Sequence, residues 1–113
     1  MHEYSIVSAL YDRIADEAGR RQATAVRAVR VRIGELSGVE VELLRTAYDT
    51  FRPGTLCAEA PLEVDTVPAL WSCPSCGGTP ARGAALICPA CGEPVRLVQG
   101  DEIVLERLEL EVP

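Results

Sequence analysis

The stretch Cys73-Pro74-Ser75-Cys76-Gly77, repeated as Cys88-Pro89-Ala90-Cys91-Gly92, decides how the chain is divided. In each copy two thiols face each other across a tight turn, where glycine permits positive φ and relieves crowding. Eleven residues separate Cys76 from Cys88, so a short loop can lay the second pair over the first and complete an S₄ tetrahedron. That geometry selects zinc or a single iron. A closed shell of four thiolates leaves no position for water or substrate, so a structural role outweighs a catalytic one. Zinc is the expected ion, because no redox partner domain or cofactor motif accompanies the pattern.

Around these turns, from about Ala69 to Gln99, the chain is rich in Pro, Gly and Cys and poor in large apolar residues. Pieces below about 40 residues usually need a metal or disulfides to fold. Residues 69–99 are therefore predicted to be an inserted zinc ribbon or knuckle within an α/β unit of residues 1–68 and 100–113. Trp71 is expected to pack where the knuckle joins the sheet.

The flanking sequence predicts an α+β fold, with two helices on a small three-stranded sheet. Ile6, Leu10 and Ile14, with Val7, Tyr11 and Ala18 beside them, mark one face of a first helix that Gly19 is placed to end. From Ala25 to Ile33 the residues Val29, Val31 and Ile33 alternate with Arg30 and Arg32, the period of a half-buried strand punctuated by Gly34 and Gly38. Ser37 and Glu40 form a capping-box signal before Leu43, Leu44, Ala47, Tyr48 and Phe51, a helical stripe stopped by Pro53-Gly54. Leu62, Val64 and Val67 suggest a second strand, and Ile103, Leu105, Leu108, Leu110 and Val112 a third. Because these two strands flank the insertion, the simplest pairing is antiparallel, with the knuckle as an enlarged hairpin loop.

Composition narrows the function. With 113 residues, one core and a satellite are expected. Apolar stretches such as Ala84 to Ile87 are too short to cross a bilayer, and Glu3 and Asp12 interrupt the region where a signal peptide needs an apolar run. The expected location is the cytoplasm, with no membrane partner. Thiols there stay reduced, so five cysteines with four crowded together read as metal ligands, leaving Cys57 as a small buried residue. The net charge is -6 and all eleven basic residues are Arg, which argues against nucleic acid as a partner. His2 is the single histidine and no Gly-rich phosphate loop is present, so an enzyme is not expected.

His2 instead suggests a second metal site. Met before a large residue is generally retained, so the Met1 α-amine stands next to His2. The amine, the His2 amide nitrogen and the imidazole can close fused chelate rings, with the Glu3 amide or carboxylate completing a planar set. Such donors suit Ni(II) or Cu(II).

The opening Met1-His2-Glu3-Tyr4-Ser5-Ile6, the middle Val31-Arg32-Ile33-Gly34-Glu35-Leu36-Ser37-Gly38-Val39 and the doubled Cys-Pro-x-Cys-Gly, in this order, resemble the HypA/HybF family of hydrogenase-maturation nickel metallochaperones. The resemblance implies an α/β nickel-binding domain with an inserted zinc domain, working with a GTPase partner to deliver Ni(II) to the large subunit of [NiFe]-hydrogenase, and in some bacteria serving urease. It implies His2 as nickel ligand supported by Glu3, and Cys73, Cys76, Cys88 and Cys91 as zinc ligands. Members that draw a second histidine from the zinc domain differ from this chain, whose Pro94-Val95-Arg96-Leu97-Val98-Gln99 has none. Met1, His2 and Glu3 then leave a donor to be supplied by water, the client or a second chain, so a homodimer stays open. The rival readings are a zinc-ribbon interaction module carrying no metal cargo, and a nucleic-acid-binding ribbon that the acidic run Glu106, Glu109, Glu111 opposes.

Overall fold

The computed structural model describes residues 2–113, the His2 side chain excepted. Helix α1 (His2–Arg20) leads into strand β1 (Ala25–Gly34), helix α2 (Val41–Phe51) and strand β2 (Leu62–Val67). Strands β3 (Leu70–Ser72) and β4 (Arg96–Gln99) follow, and β5 (Ile103–Glu111) closes the chain. The two helices and a three-stranded sheet are as expected.

The order of that sheet is β2-β1-β5, with β1 parallel to β2 and antiparallel to β5. The two strands flanking the insertion are therefore the two edges and do not pair, contrary to the hairpin expectation. Helix α2 is a crossover that returns the chain parallel to β1, which a hairpin cannot do. The nine residues of β5 match the ten of β1, whereas β2 has six, so β5 finds its long partner in the central strand. The insertion forms its own sheet, with β3 antiparallel to β4.

One face of the larger sheet carries the core. Val7 and Ile14 of α1, Val26, Val29, Val31 and Ile33 of β1, and Leu44 and Tyr48 of α2 are buried with Cys57, Ala60 and Leu62. Val26 and Val29 both point inward although three positions apart. Arg27 is an extra residue opposite the Leu110–Glu109 step, and this bulge resets the alternation. The opposite face is wet: Arg30 pairs with Glu106 at 3.2 Å and Glu63 at 3.6 Å, and Arg27 pairs with Glu111.

Three local expectations are corrected. Gly19 lies inside α1, and the helix ends instead with Gln22 at φ 54° and the paired bonds Ala23 N→Ala18 O and Gln22 N→Gly19 O, a Schellman closure. Ser37 and Glu40 make no capping box: Glu40 is the N-cap without a side-chain bond, and the Ser37 hydroxyl accepts from the Val39 amide at 3.3 Å. Leu43 is 52% exposed, whereas Leu44 beside it is 1% exposed, because a helical step of 100° carries adjacent residues to different faces. Pro53-Gly54 does terminate α2, with Gly54 at φ 78°.

The molecule measures 57 × 27 × 16 Å, with a radius of gyration of 18.0 Å. A compact domain of this length would have about 13 Å. The small ribbon therefore extends the molecule beyond the larger sheet. At the junction Gly34 N donates to Glu102 O at 2.7 Å, Glu35 N to Val67 O at 2.8 Å and Leu36 N to Gly100 O at 2.6 Å.

Leu44→Ala should lower the unfolding free energy by about 2–5 kcal/mol, whereas Leu43→Ala should change it by no more than about 0.5 kcal/mol. Urea unfolding followed by circular dichroism checks the pair; equal losses would refute the corrected helix face.

Candidate metal centres

The two Cys-Pro-x-Cys-Gly segments form the same turn twice. In the first, Gly77 N donates to Cys73 O at 2.9 Å and Cys73 N to Gly78 O at 2.8 Å. In the second, Gly92 N donates to Cys88 O at 2.9 Å and Cys88 N to Glu93 O at 2.8 Å. Gly77 and Gly92 stand at φ 76° and 72°, a conformation that a side chain would strain. The β3–β4 ribbon and an isolated bridge between Ile87 and Pro94 bring the turns together.

The four sulfurs lie within 4.8 Å of one another. Cys73 Sγ is 3.2 Å from Cys91 Sγ, and Cys76 Sγ is 3.5 Å from Cys88 Sγ and 3.7 Å from Cys91 Sγ. A tetrahedron with metal–sulfur bonds of about 2.3 Å has edges of about 3.8 Å, so the spacing fits one ion with four thiolate ligands. Cys73 and Cys88 are buried against Val95, with Trp71 packed on them, while Cys76 and Cys91 face outward. Trp71 thus belongs to the small cluster of the ribbon.

The leading thiol of each turn is the more acidic. The Cys76 amide, the Cys91 thiol and the Ser75 amide lower Cys73 to about 6, and the Cys91 and Ala90 amides lower Cys88. The second thiols are pushed the other way: Cys91 rises to about 12 through its contact with Cys73, and Cys76 rises through Cys88 although the Gly78 amide favours its thiolate. Four sulfurs this close cannot all ionise without a cation among them. Such a set binds a soft divalent ion and releases protons as it does so.

At the other end of the sequence, Glu3 is buried to 8% exposure in the first turn of α1. Its Oε2 accepts from the Glu40 amide at 3.3 Å, which ties the start of α1 to the N-terminus of α2. Tyr4 meets Phe51 edge-on at 6.4 Å, and Tyr11 packs against the same ring at 5.2 Å. Met1 and the His2 side chain lie outside the described residues. The link through Glu40 was not read from sequence, since a contact across 37 positions has no local signal.

Cys57 is fully buried beside Tyr48, and its thiol is raised by burial. Tyr48 Oη donates to Ala60 O at 2.6 Å, and burial also pushes its pKa up. Cys57 does not join the thiol cluster.

Fold and cluster together define a small α+β metal-binding protein whose four clustered cysteines stand on an inserted ribbon. The family model described as "Hydrogenase/urease nickel incorporation, metallochaperone, hypA" matches residues 1–110. "Hydrogenase maturation factor HypA" of Shewanella oneidensis is 40% identical, covering 98% of this chain and 96% of the relative. The protein of the same name from Aquifex aeolicus is 39% identical over 99% of both chains. Among solved structures, "the Ni metallochaperone HypA from Helicobacter pylori" superposes with a TM-score of 0.72 at 31% identity, covering 98% of both chains. The chain belongs to the HypA family of nickel metallochaperones for hydrogenase and urease nickel incorporation.

In metal-free protein, a thiol-reactive disulfide reagent should modify the four clustered cysteines rapidly and Cys57 only after urea unfolds the core. A fifth fast thiol in the folded protein would show that the core does not seal Cys57.

Proposed function

We propose that this chain carries Ni(II) at its N-terminus and hands it to the large subunit of [NiFe]-hydrogenase with a GTPase partner, in the cytoplasm. His2 supplies the imidazole, Met1 its amine, and the backbone amides and Glu3 support the site. Cys73, Cys76, Cys88 and Cys91 hold a structural zinc ion that keeps residues 69–99 folded, separate from the α/β unit of residues 1–68 and 100–113. The protein acts as a carrier without catalytic turnover.

The observation that carries this reading is a family match that begins at residue 1 and runs through both Met1-His2-Glu3 and the thiol turns. Chemistry supports the division of labour. Four thiolates form a closed soft shell from which an ion leaves reluctantly, as suits a structural role. Nitrogen and oxygen donors with an open position favour Ni(II) and allow transfer. Zinc supplies no reaction step; it crosslinks two turns in a segment whose only buried cluster is Cys73, Cys88 and Val95. Imidazole and amine compete with protons, so nickel binding should weaken as pH falls through their titration range. No helix among the described residues is long and apolar enough to cross a membrane.

Elemental analysis of untagged protein should find one zinc per chain, and calorimetry should find one further Ni(II) in the wild type that His2→Ala fails to bind. Equal nickel binding by His2→Ala, or none by either protein, would refute the N-terminal site and favour a zinc-ribbon interaction module. Cys76→Ser should lose zinc and ribbon structure while the α/β core still unfolds cooperatively. Loss of the core as well would contradict the two-unit division.

A further inference from the structure

The ribbon is tied to the larger sheet at two kinds of contact. At its base, the backbone segments are packed without room for a side chain. A Cβ on Gly34 would lie 2.3 Å from the Gly100 carbonyl carbon and oxygen, and one on Gly100, at φ 113°, would lie 2.5 Å from Ala69 Cα. Far along the ribbon, in the loop between the thiol turns, Arg82 reaches back to Glu35, just past the end of β1. Its Nη1 donates to Glu35 Oε1 at 3.1 Å and its Nη2 donates to Oε2. The Ala69 amide adds a bond to Oε1 at 2.8 Å, so one carboxylate gathers the loop and the base.

Among the described residues, this is the only ion pair between residues 69–99 and the rest of the chain. Its side chains are 69% and 37% exposed, so water and salt compete for it, unlike the close-packed base. Between the two contacts runs a groove with Glu35 and Leu36 on one wall and Leu70, Trp71, Pro80 and Leu86 on the other. Leu36, Leu70 and Leu86 are about half exposed there and do not weld the walls together.

We propose that the Glu35–Arg82 ion pair is a releasable latch, which fixes the four-cysteine ribbon against the end of β1, and that the Gly34–Gly100 contact is the pivot on which the ribbon swings when the pair parts. The inference goes beyond nickel carriage and does not depend on which metal either site holds. Opening separates the walls of the groove and exposes the half-buried Trp71. Metal ligands are untouched, because Arg82 and Glu35 lie outside both thiol turns.

Trp71 is the only tryptophan and is therefore the reporter. The test uses metal-loaded protein and measures acrylamide quenching of Trp71. Salt is raised from about 0.01 M to about 1 M, which shortens the screening length from about 30 Å to about 3 Å. In the wild type the quenching constant should rise with salt. In Arg82→Ala and Glu35→Gln it should already stand at the high-salt value and respond to salt no further. The double exchange Glu35→Arg with Arg82→Glu should restore low quenching at low salt, with unchanged metal content in every variant. Single variants that quench like wild type at low salt would overturn the latch, as would a charge exchange that fails to restore it. Metal loss in the single variants would overturn it too, by making the pair a folding contact of the ribbon.

Discussion

Strand β1 occupies the centre of its sheet, so a chain that leaves one edge strand and returns as the other must cross the end of β1. This crossing constrains the rest of the molecule. Val67 and Glu102, on the two sides, each accept a bond from the segment Gly34–Glu35, so the end of β1 is clasped from both edges. Three backbone segments meet there, and a β-carbon at Gly34 would fall within 2.3 Å of Gly100. Glycine at 34 and 100 is needed because nothing larger allows the strands to close while the insertion departs between them.

From that crossing the insertion inherits both its independence and its weakness. It cannot share the core of the larger sheet, because it lies past the strand ends, and its own cluster of Cys73, Cys88 and Val95 with Trp71 is too small to offset the entropy of ordering some thirty residues. The backbone amides of the twin turns favour thiolate at Cys73 and Cys88 before any ion arrives. Cys76 and Cys91 are held protonated by their sulfur neighbours, and a divalent cation removes that opposition. The same sulfur crowding that is unfavourable without metal becomes the source of cohesion with it.

Much of this was readable from residue order because the signals are local. Two turns of identical spacing specify the sulfur cluster, and the alternation of Val29, Arg30, Val31, Arg32 and Ile33 specifies a strand with one wet face. Pairing was not local. The parallel partnership of β1 with β2 depends on α2 acting as a crossover, which the periodicity of Leu44 and Tyr48 does not encode. Within the expected ribbon the strands β3 and β4 carry no such signal, because Leu70–Ser72 and Arg96–Gln99 are three and four residues long, too short for period two to stand out. Glu3 to Glu40 and Glu35 to Arg82 escaped for the same reason as the sheet order: each joins positions distant in sequence.

The segment from Glu35 to Glu40 is where these distant contacts converge. Its first residue holds Arg82 of the insertion, and its last gives its amide to the Glu3 carboxylate at the start of α1. Between them Leu36 is anchored to Gly100 and Gly38 takes φ 81°, so the segment is bonded at several points yet belongs to no regular element. Glu35 N bonds Val67 O and Val39 packs against the core of the larger sheet, so the sheet holds the segment together with what binds at its two ends. In the proposed carrier, Glu3 borders the nickel donors and Arg82 stands between the zinc turns. The six residues from Glu35 to Glu40 thus connect the contact with Arg82 to the contact with Glu3. The start of α1 and the thiol turns, far apart in sequence, thus send their outer contacts to a single loop.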